Sequence, residues 1–176
     1  MPSIRFGLAL PIRAARTLCL TLHYTGCWVS EALALTPKRV DLSGKVIVLE
    51  TLKKRRSGVY RAVPVPGDML DTLDMVHGLR EAQKRPQALD APLWSWTRIH
   101  AWRLVRGVMR EADIPAGPHA TPKGLRHGYG IAAISAGVPL NMLRKWMGHA
   151  SIETTAIYAN AIGAEEQGIA ARMWGG

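Results

Sequence analysis

An α+β domain, mainly helical and carrying one small antiparallel β-hairpin, is the fold class this sequence predicts. Three observations predict it. Apolar residues recur at helical spacing through most of the chain. β-branched runs are confined to the stretch between Lys45 and Val65. With 176 residues at 48% hydrophobic, the chain can build one real core and not two, so residues 1–176 are expected to form a single domain.

Pro11 suits a first helical turn, and Ile12, Ala15, Cys19 and Leu22 follow on one face until Gly26 supplies a stop, which predicts a buried helix. Ser30 to Leu35 predicts a short second helix, closed at Thr36-Pro37 because the residue before a proline is pushed out of the helical region. The tight Thr25-Gly26 turn therefore joins two helices. Lys45 to Leu49 and Tyr60 to Val65 then predict the two strands of a hairpin, flanking a polar, basic segment from Lys53 to Gly58. Its tip, Lys53-Lys54-Arg55-Arg56, reads either as a solvated charge cluster or as a DNA-contacting tip.

Asp68 opens the next helix, with Asp71 in its first turn and Leu70, Leu73, Val76 and Leu79 on one face. A proline-containing loop from Arg85 to Pro92 follows, and Trp94 and Trp96 lead into a helix over Thr97 to Ala112. Ile99, Trp102, Val105, Val108 and Met109 are expected on its buried face, with Arg103, Arg106 and Arg110 on an exposed stripe. That stripe fits either a row of phosphates or a solvated face with ion pairs. Beyond the loop Asp113 to Pro122, a helix over Gly124 to Ala136 carries Leu125, Ile131 and Ile134 inward and ends at Gly137. Pro139 to Met147 predicts another, stopped at Gly148, and Ser151 is placed to cap a third. Ala164 to Trp174 reads as an amphipathic tail helix, packed on its own domain or lent to a neighbour.

Lys and Arg number 23 against 13 Asp and Glu, a net charge of +10. Such a balance favours a polyanionic partner, nucleic acid first, and argues against an acidic-surfaced protein. Cys19 and Cys27 stand among apolar neighbours with no metal-ligand spacing, so they read as buried free thiols of a reducing compartment, and no metal or other cofactor is implied. Neither a secretory leader nor a run of eighteen apolar residues is present, which predicts a cytoplasmic protein without a membrane partner.

Met147 to Tyr158, MGHASIETTAIY, places a tyrosine nine positions after His149 on a short helix. A tyrosine there is able to act as a nucleophile, although alone it is more often a packed core or rim residue. Three further blocks precede it in order: Thr25-Gly26-Cys27-Trp28-Val29-Ser30-Glu31, the Lys53 hairpin ending in Val63-Pro64, and Lys123-Gly-Leu-Arg126-His127. Together the four blocks resemble the tyrosine recombinase family, the phage-integrase type of site-specific recombinase.

The resemblance implies a helical catalytic domain acting on double-stranded DNA without metal or ATP. Tyr158 would attack the scissile phosphate, release a 5′-hydroxyl and leave a 3′-phosphotyrosyl link for rejoining to another strand. Arg126 would bind a non-bridging phosphate oxygen, Lys123 would assist proton transfer, and His149 would be a second donor to the phosphate. Lys53, or Lys54 beside it, aligns with the lysine that protonates the leaving oxygen; Glu31 would support the site from below, and His127 would organise its helix. Contacts with DNA are expected from Lys54, Arg55, Arg56, Arg103, Arg106 and Arg110.

Two departures qualify that picture. Trp28 occupies the position of the family's first catalytic arginine. Loss of one preorganised donor typically costs about 10²- to 10³-fold in rate, so an attenuated enzyme is expected, with Arg55 or Arg56 as the candidates to compensate. The alternative is an inactive DNA-binding accessory protein or mobile-element remnant; a type IB topoisomerase ranks below both. The second departure is the missing N-terminal helical domain, which predicts a catalytic domain alone, as a fragment or a natural short form, binding DNA weakly and with strong salt dependence. Residues 164–174 would serve as an exchanged helix in an oligomer on DNA, with a monomer equally compatible when free.

Overall fold

The structure is a computed structural model that describes residues 10–52 and 58–159, the side chains at 10, 11 and 159 apart. Helix α1 (Leu10–Thr25) opens on the expected proline turn and buries Ala15, Leu18, Cys19 and Leu22. Its buried hydroxyls are satisfied along the helix itself: Thr21 donates to the Thr17 carbonyl at 2.9 Å and Thr25 to the Thr21 carbonyl at 2.6 Å. Gly26 ends the helix in the left-handed region (φ +59°), and a Cβ there would run into the Tyr129 ring. Burial pushes the thiols of Cys19 and Cys27 up to about 12 and about 11, as inert buried cysteines require.

Helix α2 (Val29–Leu33) follows, then a 3₁₀ turn at Pro37–Arg39. Strands β1 (Val40–Asp41), β2 (Val46–Glu50) and β3 (Tyr60–Pro64) form an antiparallel sheet in the order β1-β2-β3. The hairpin is the predicted one, paired with Ile47 opposite Val63 and Leu49 opposite Arg61. Strand β1 was not predicted, because two residues are too short to display an alternation.

Helices α3 (Gly67–His77) and α4 (Leu79–Gln83) correct the single apolar face drawn from Leu70 to Leu79. Gly78 adopts φ +62° between them, so Leu79 is buried from a separate helix. Helix α5 (Arg98–Glu111) begins at Thr97, whose hydroxyl accepts from the His100 N–H at 3.2 Å. Its inner stripe is Ala101, Val105 and Met109, while Ile99 and Trp102 are 65% and 41% exposed, contrary to the expected buried face. The physical reason is that α5 packs on α1 along this i, i+4, i+8 line, which turns Ile99 and Trp102 away from the contact.

Helix α6 (Pro122–Ser135) starts two residues earlier than expected, capped by Thr121, whose hydroxyl accepts from the Gly124 N–H at 3.0 Å. Its buried positions are Pro122, Arg126, Gly130 and Ala133; Leu125, Ile131 and Ile134 are only half-buried. Helix α7 (Leu140–Met147) stops at Gly148, and α8 (Glu153–Ala159) completes a trio. Ser151 does not cap α8 through the backbone. The first helical bonds of α8 run to the Ile152 carbonyl, and the Ser151 hydroxyl lies 3.3 Å from that of Thr154.

The fold is thus α+β and mainly helical, with apolar side chains in two clusters. The larger joins α1 to α5 with the sheet; the smaller holds Ala133, Leu143, Met147 and Tyr158 within α6, α7 and α8. Among the described residues no helix is long and apolar enough to cross a membrane. The hairpin tip Lys53-Lys54-Arg55-Arg56 and the segment Ala164 to Trp174 lie outside the described residues.

Candidate active site

Helix α6 builds the centre of the site through its register. Lys123, Arg126 and Gly130 follow at i, i+3 and i+7, so they share one side of the helix while the chain passes from surface to interior. Lys123 is exposed in the first turn and Arg126 is buried. The Arg126 guanidinium donates to the Gly26 carbonyl and, at 2.9 Å, to the Met147 carbonyl. Burial lowers its pKa from the ordinary arginine value, opposed by the nearby Glu31 carboxylate and Tyr158 phenol, and an arginine remains charged through such a shift. Directly over this cation, at 4.5 Å, is the indole ring of Trp28, itself 50% exposed.

Tyr158 is only 4% exposed, packed into the smaller cluster where Gly130 leaves room for its ring. A Cβ at Gly130 would approach the Tyr158 Cε1 to 2.5 Å. Burial raises the phenol pKa, and the charge of Arg126 opposes the rise. The His149 ring stacks nearly parallel to the Tyr158 ring, 6.4 Å between centroids, and its Nδ1 is 2.8 Å from the hydroxyl of buried Thr155. His127, expected to organise its helix, is exposed, with its ring centroid 5.3 Å from that of Tyr158.

Beneath these groups lies a buried ion pair. Glu31 accepts the Trp28 backbone N–H at 2.9 Å and binds Arg61 of β3 with both oxygens, at 3.1 and 2.6 Å. Arg61 also donates to the Thr51 hydroxyl at 2.9 Å and the Trp146 carbonyl at 2.8 Å, so nearly all of its donors are committed within the protein. Arg61 is a site residue that sequence reading missed. The signal was present: alternation with Val63 sets Arg61 on the inward side of β3, where a lone arginine needs a carboxylate.

The structure therefore brings together Trp28, Arg126, His149 and Tyr158, with Glu31 below and Lys123 at the rim. Arg103, Arg106 and Arg110 are exposed on α5, and the Arg106 guanidinium lies 4.9 Å from the Trp102 ring. Among the described residues no group of three His, Cys, Asp or Glu side chains could hold a metal ion.

Known proteins resemble this chain in sequence and in fold. Tyrosine recombinase XerD of Mycobacterium leprae (strain TN) is 29% identical over 153 residues, covering 81% of this chain and 46% of that protein. The probable integrase/recombinase protein MJ0367 of Methanocaldococcus jannaschii is 28% identical over 168 residues, covering 90% and 48%. The chain spans about half the length of the curated relatives it matches. The crystal structure of the XerH site-specific recombinase bound to palindromic difH substrate, a post-cleavage complex, superposes with a TM-score of 0.73 at 22% identity, over 98% of this chain and 49% of that one, a likeness of fold. The phage integrase family model matches residues 8–164, nearly the whole sequence, and on that match the chain belongs to the phage integrase family.

Proposed function

We propose that this chain is the catalytic domain of a site-specific DNA recombinase that cuts and rejoins double-stranded DNA through a 3′-phosphotyrosyl link. The observation that carries this reading is the convergence of Tyr158 and Arg126, both buried, on α6: the Tyr158 ring of α8 packs on Gly130, one turn after Arg126. In the cleavage step the Tyr158 oxygen bonds to phosphorus and gives up its proton. The bond from phosphorus to the 5′-oxygen breaks, and that oxygen leaves with the electron pair and takes a proton. Arg126 neutralises the phosphate with the donors it does not spend on Gly26 and Met147, and His149 donates to a second oxygen. Lys123 assists proton transfer, and Lys53 supplies the proton to the leaving oxygen. Atoms and charges balance without a metal or a nucleotide cofactor.

Trp28 weakens this catalyst. An indole offers one N–H where the family's first arginine offers a planar fork, and here its ring covers Arg126. That contact favours a second reading, a DNA-binding relative without strand cleavage, acting as an accessory protein or persisting in a mobile element. In either case the partner is double-stranded DNA, met in the cytoplasm, and residues 164–174 join copies on DNA.

Nicked suicide duplexes with randomised arms, followed by a search for a covalent protein–DNA adduct, separate the readings. The unmodified chain should form the adduct slowly, Tyr158→Phe should abolish it, and Trp28→Arg should speed it by roughly 10²- to 10³-fold. An adduct that survives Tyr158→Phe removes Tyr158 as nucleophile. Adduct formation by Trp28→Arg alone establishes the inactive reading for the natural chain.

A further inference from the structure

Continuous with the site, between α2 and α5, runs a groove of about 540 Å³ that shares Trp28, Glu31 and Lys123 with it and whose outer wall the proposed chemistry has not used. Trp28, Leu52, Ile99 and Trp102 supply its apolar lining, and all four are exposed. Arg98 and Lys123, both exposed, supply cations, and Arg106 lies against the Trp102 ring. Among the described residues the one carboxylate in the lining, Glu31, is already neutralised by Arg61. Exposed indoles among uncompensated cations are the two components of a single-strand binding surface: aromatic rings take the flat faces of bases, and cations follow the phosphates. A basic or apolar segment of protein fits less well, because among the described residues the groove presents no free anion to a basic helix and would leave its own cations unpaired against an apolar one.

We infer that this groove holds an unpaired base of the DNA strand next to the scissile phosphate, stacked on Trp102 and Trp28. The inference rests on the proposed recombinase reading. Its position supports it, since Trp28 lines the groove and also lies over Arg126, so that the groove opens where the phosphate would be bound. The chemistry supports it as well: rejoining to a different strand requires the nucleotides beside the break to leave their base pairs, and a duplex keeps its base faces stacked out of reach. Trp28 then has a role of its own, exchanging a phosphate contact for a base contact.

The test compares the full chain binding a paired duplex with the same duplex carrying a single bulged 2-aminopurine. The bulged duplex should bind about tenfold more tightly, with its fluorescence quenched on stacking. Trp102→Ala should erase that preference, and Trp102→Phe, which keeps a ring face, should retain it. Ile99→Asp, at a position too exposed to disturb folding, should reduce the preference by placing an anion in the groove. Equal affinity for the two duplexes, or a preference that survives Trp102→Ala, overturns the inference while leaving DNA binding in place. If neither duplex is bound, the recombinase reading fails and the inference with it. A change in the sedimentation of the DNA-free chain on Trp102→Ala would identify the groove as a protein interface and would also overturn it.

Discussion

Glu31 is the residue on which the floor of the site depends, because its carboxylate serves two partners at once: the Arg61 guanidinium and the Trp28 N–H. Removing one member of a buried ion pair leaves the other charge stranded, at a cost of about 3–5 kcal/mol. Glu31→Ala should therefore lower unfolding free energy by about that amount in urea titrations, and Glu31→Gln, which can still accept hydrogen bonds, by less. A loss below about 1 kcal/mol for Glu31→Ala would mean that water reaches Arg61 and the pair is not a structural support. At this scale the motifs led from the sequence to Arg126, Tyr158 and Glu31, and the structure buries all three. Arg61 was overlooked because arginine is read as a surface residue, and only its alternation with Val63 reveals that it points inward.

Helix α6 shows what a single element contributes. It gives its backbone surface at Gly130 to the Tyr158 ring of α8 and its Tyr129 ring to Gly26 at the end of α1, so the proposed nucleophile is placed by close approach of main chain to ring. Gly130→Ala puts a methyl group where that ring lies. Overpacking of this kind costs typically about 1–3 kcal/mol, and thermal melts should show it. Adduct formation should fall further than DNA affinity, since the substitution moves Tyr158 and leaves the cationic surface intact; equal losses in both would count against the packing account. Element boundaries were legible where proline or glycine punctuated the chain, as at Pro11, Gly26 and Gly148, whereas Pro122 was read as loop and in fact opens α6. Faces were less so. Ile99 and Trp102 are apolar, and periodicity alone assigned them to the core, whereas the small Ala101 is what lets α5 settle against α1.

Over the whole molecule the dominant property is a net charge of +10. Affinity for DNA should fall steeply with salt, because each phosphate neutralised releases counterions and adds about 0.9 to the slope of log K against log salt. Replacing Arg103, Arg106 and Arg110 together by alanine should flatten that slope by about 2 to 3 if all three meet phosphates. An unchanged slope would assign the stripe to solvent alone. Composition alone pointed to the anionic partner proposed above, but it could not reveal that the apolar interior is divided into two clusters, since both are drawn from the same residue types.

That division gives the two buried arginines a mechanical meaning. Arg126 reaches from α6 to the end of α1 and to α7, and Arg61 reaches from β3 to α2 and to the Trp146 carbonyl of α7, so both cross the seam between the clusters. Apolar surfaces can slide past one another, whereas a planar guanidinium held by several acceptors resists displacement in every direction within its plane. On the proposed reading, a strand attached to Tyr158 would pull on α8, and part of that load would pass through these two joints to the sheet and α1. The tyrosine-bearing helices and the main body should therefore move as one piece while a strand is held.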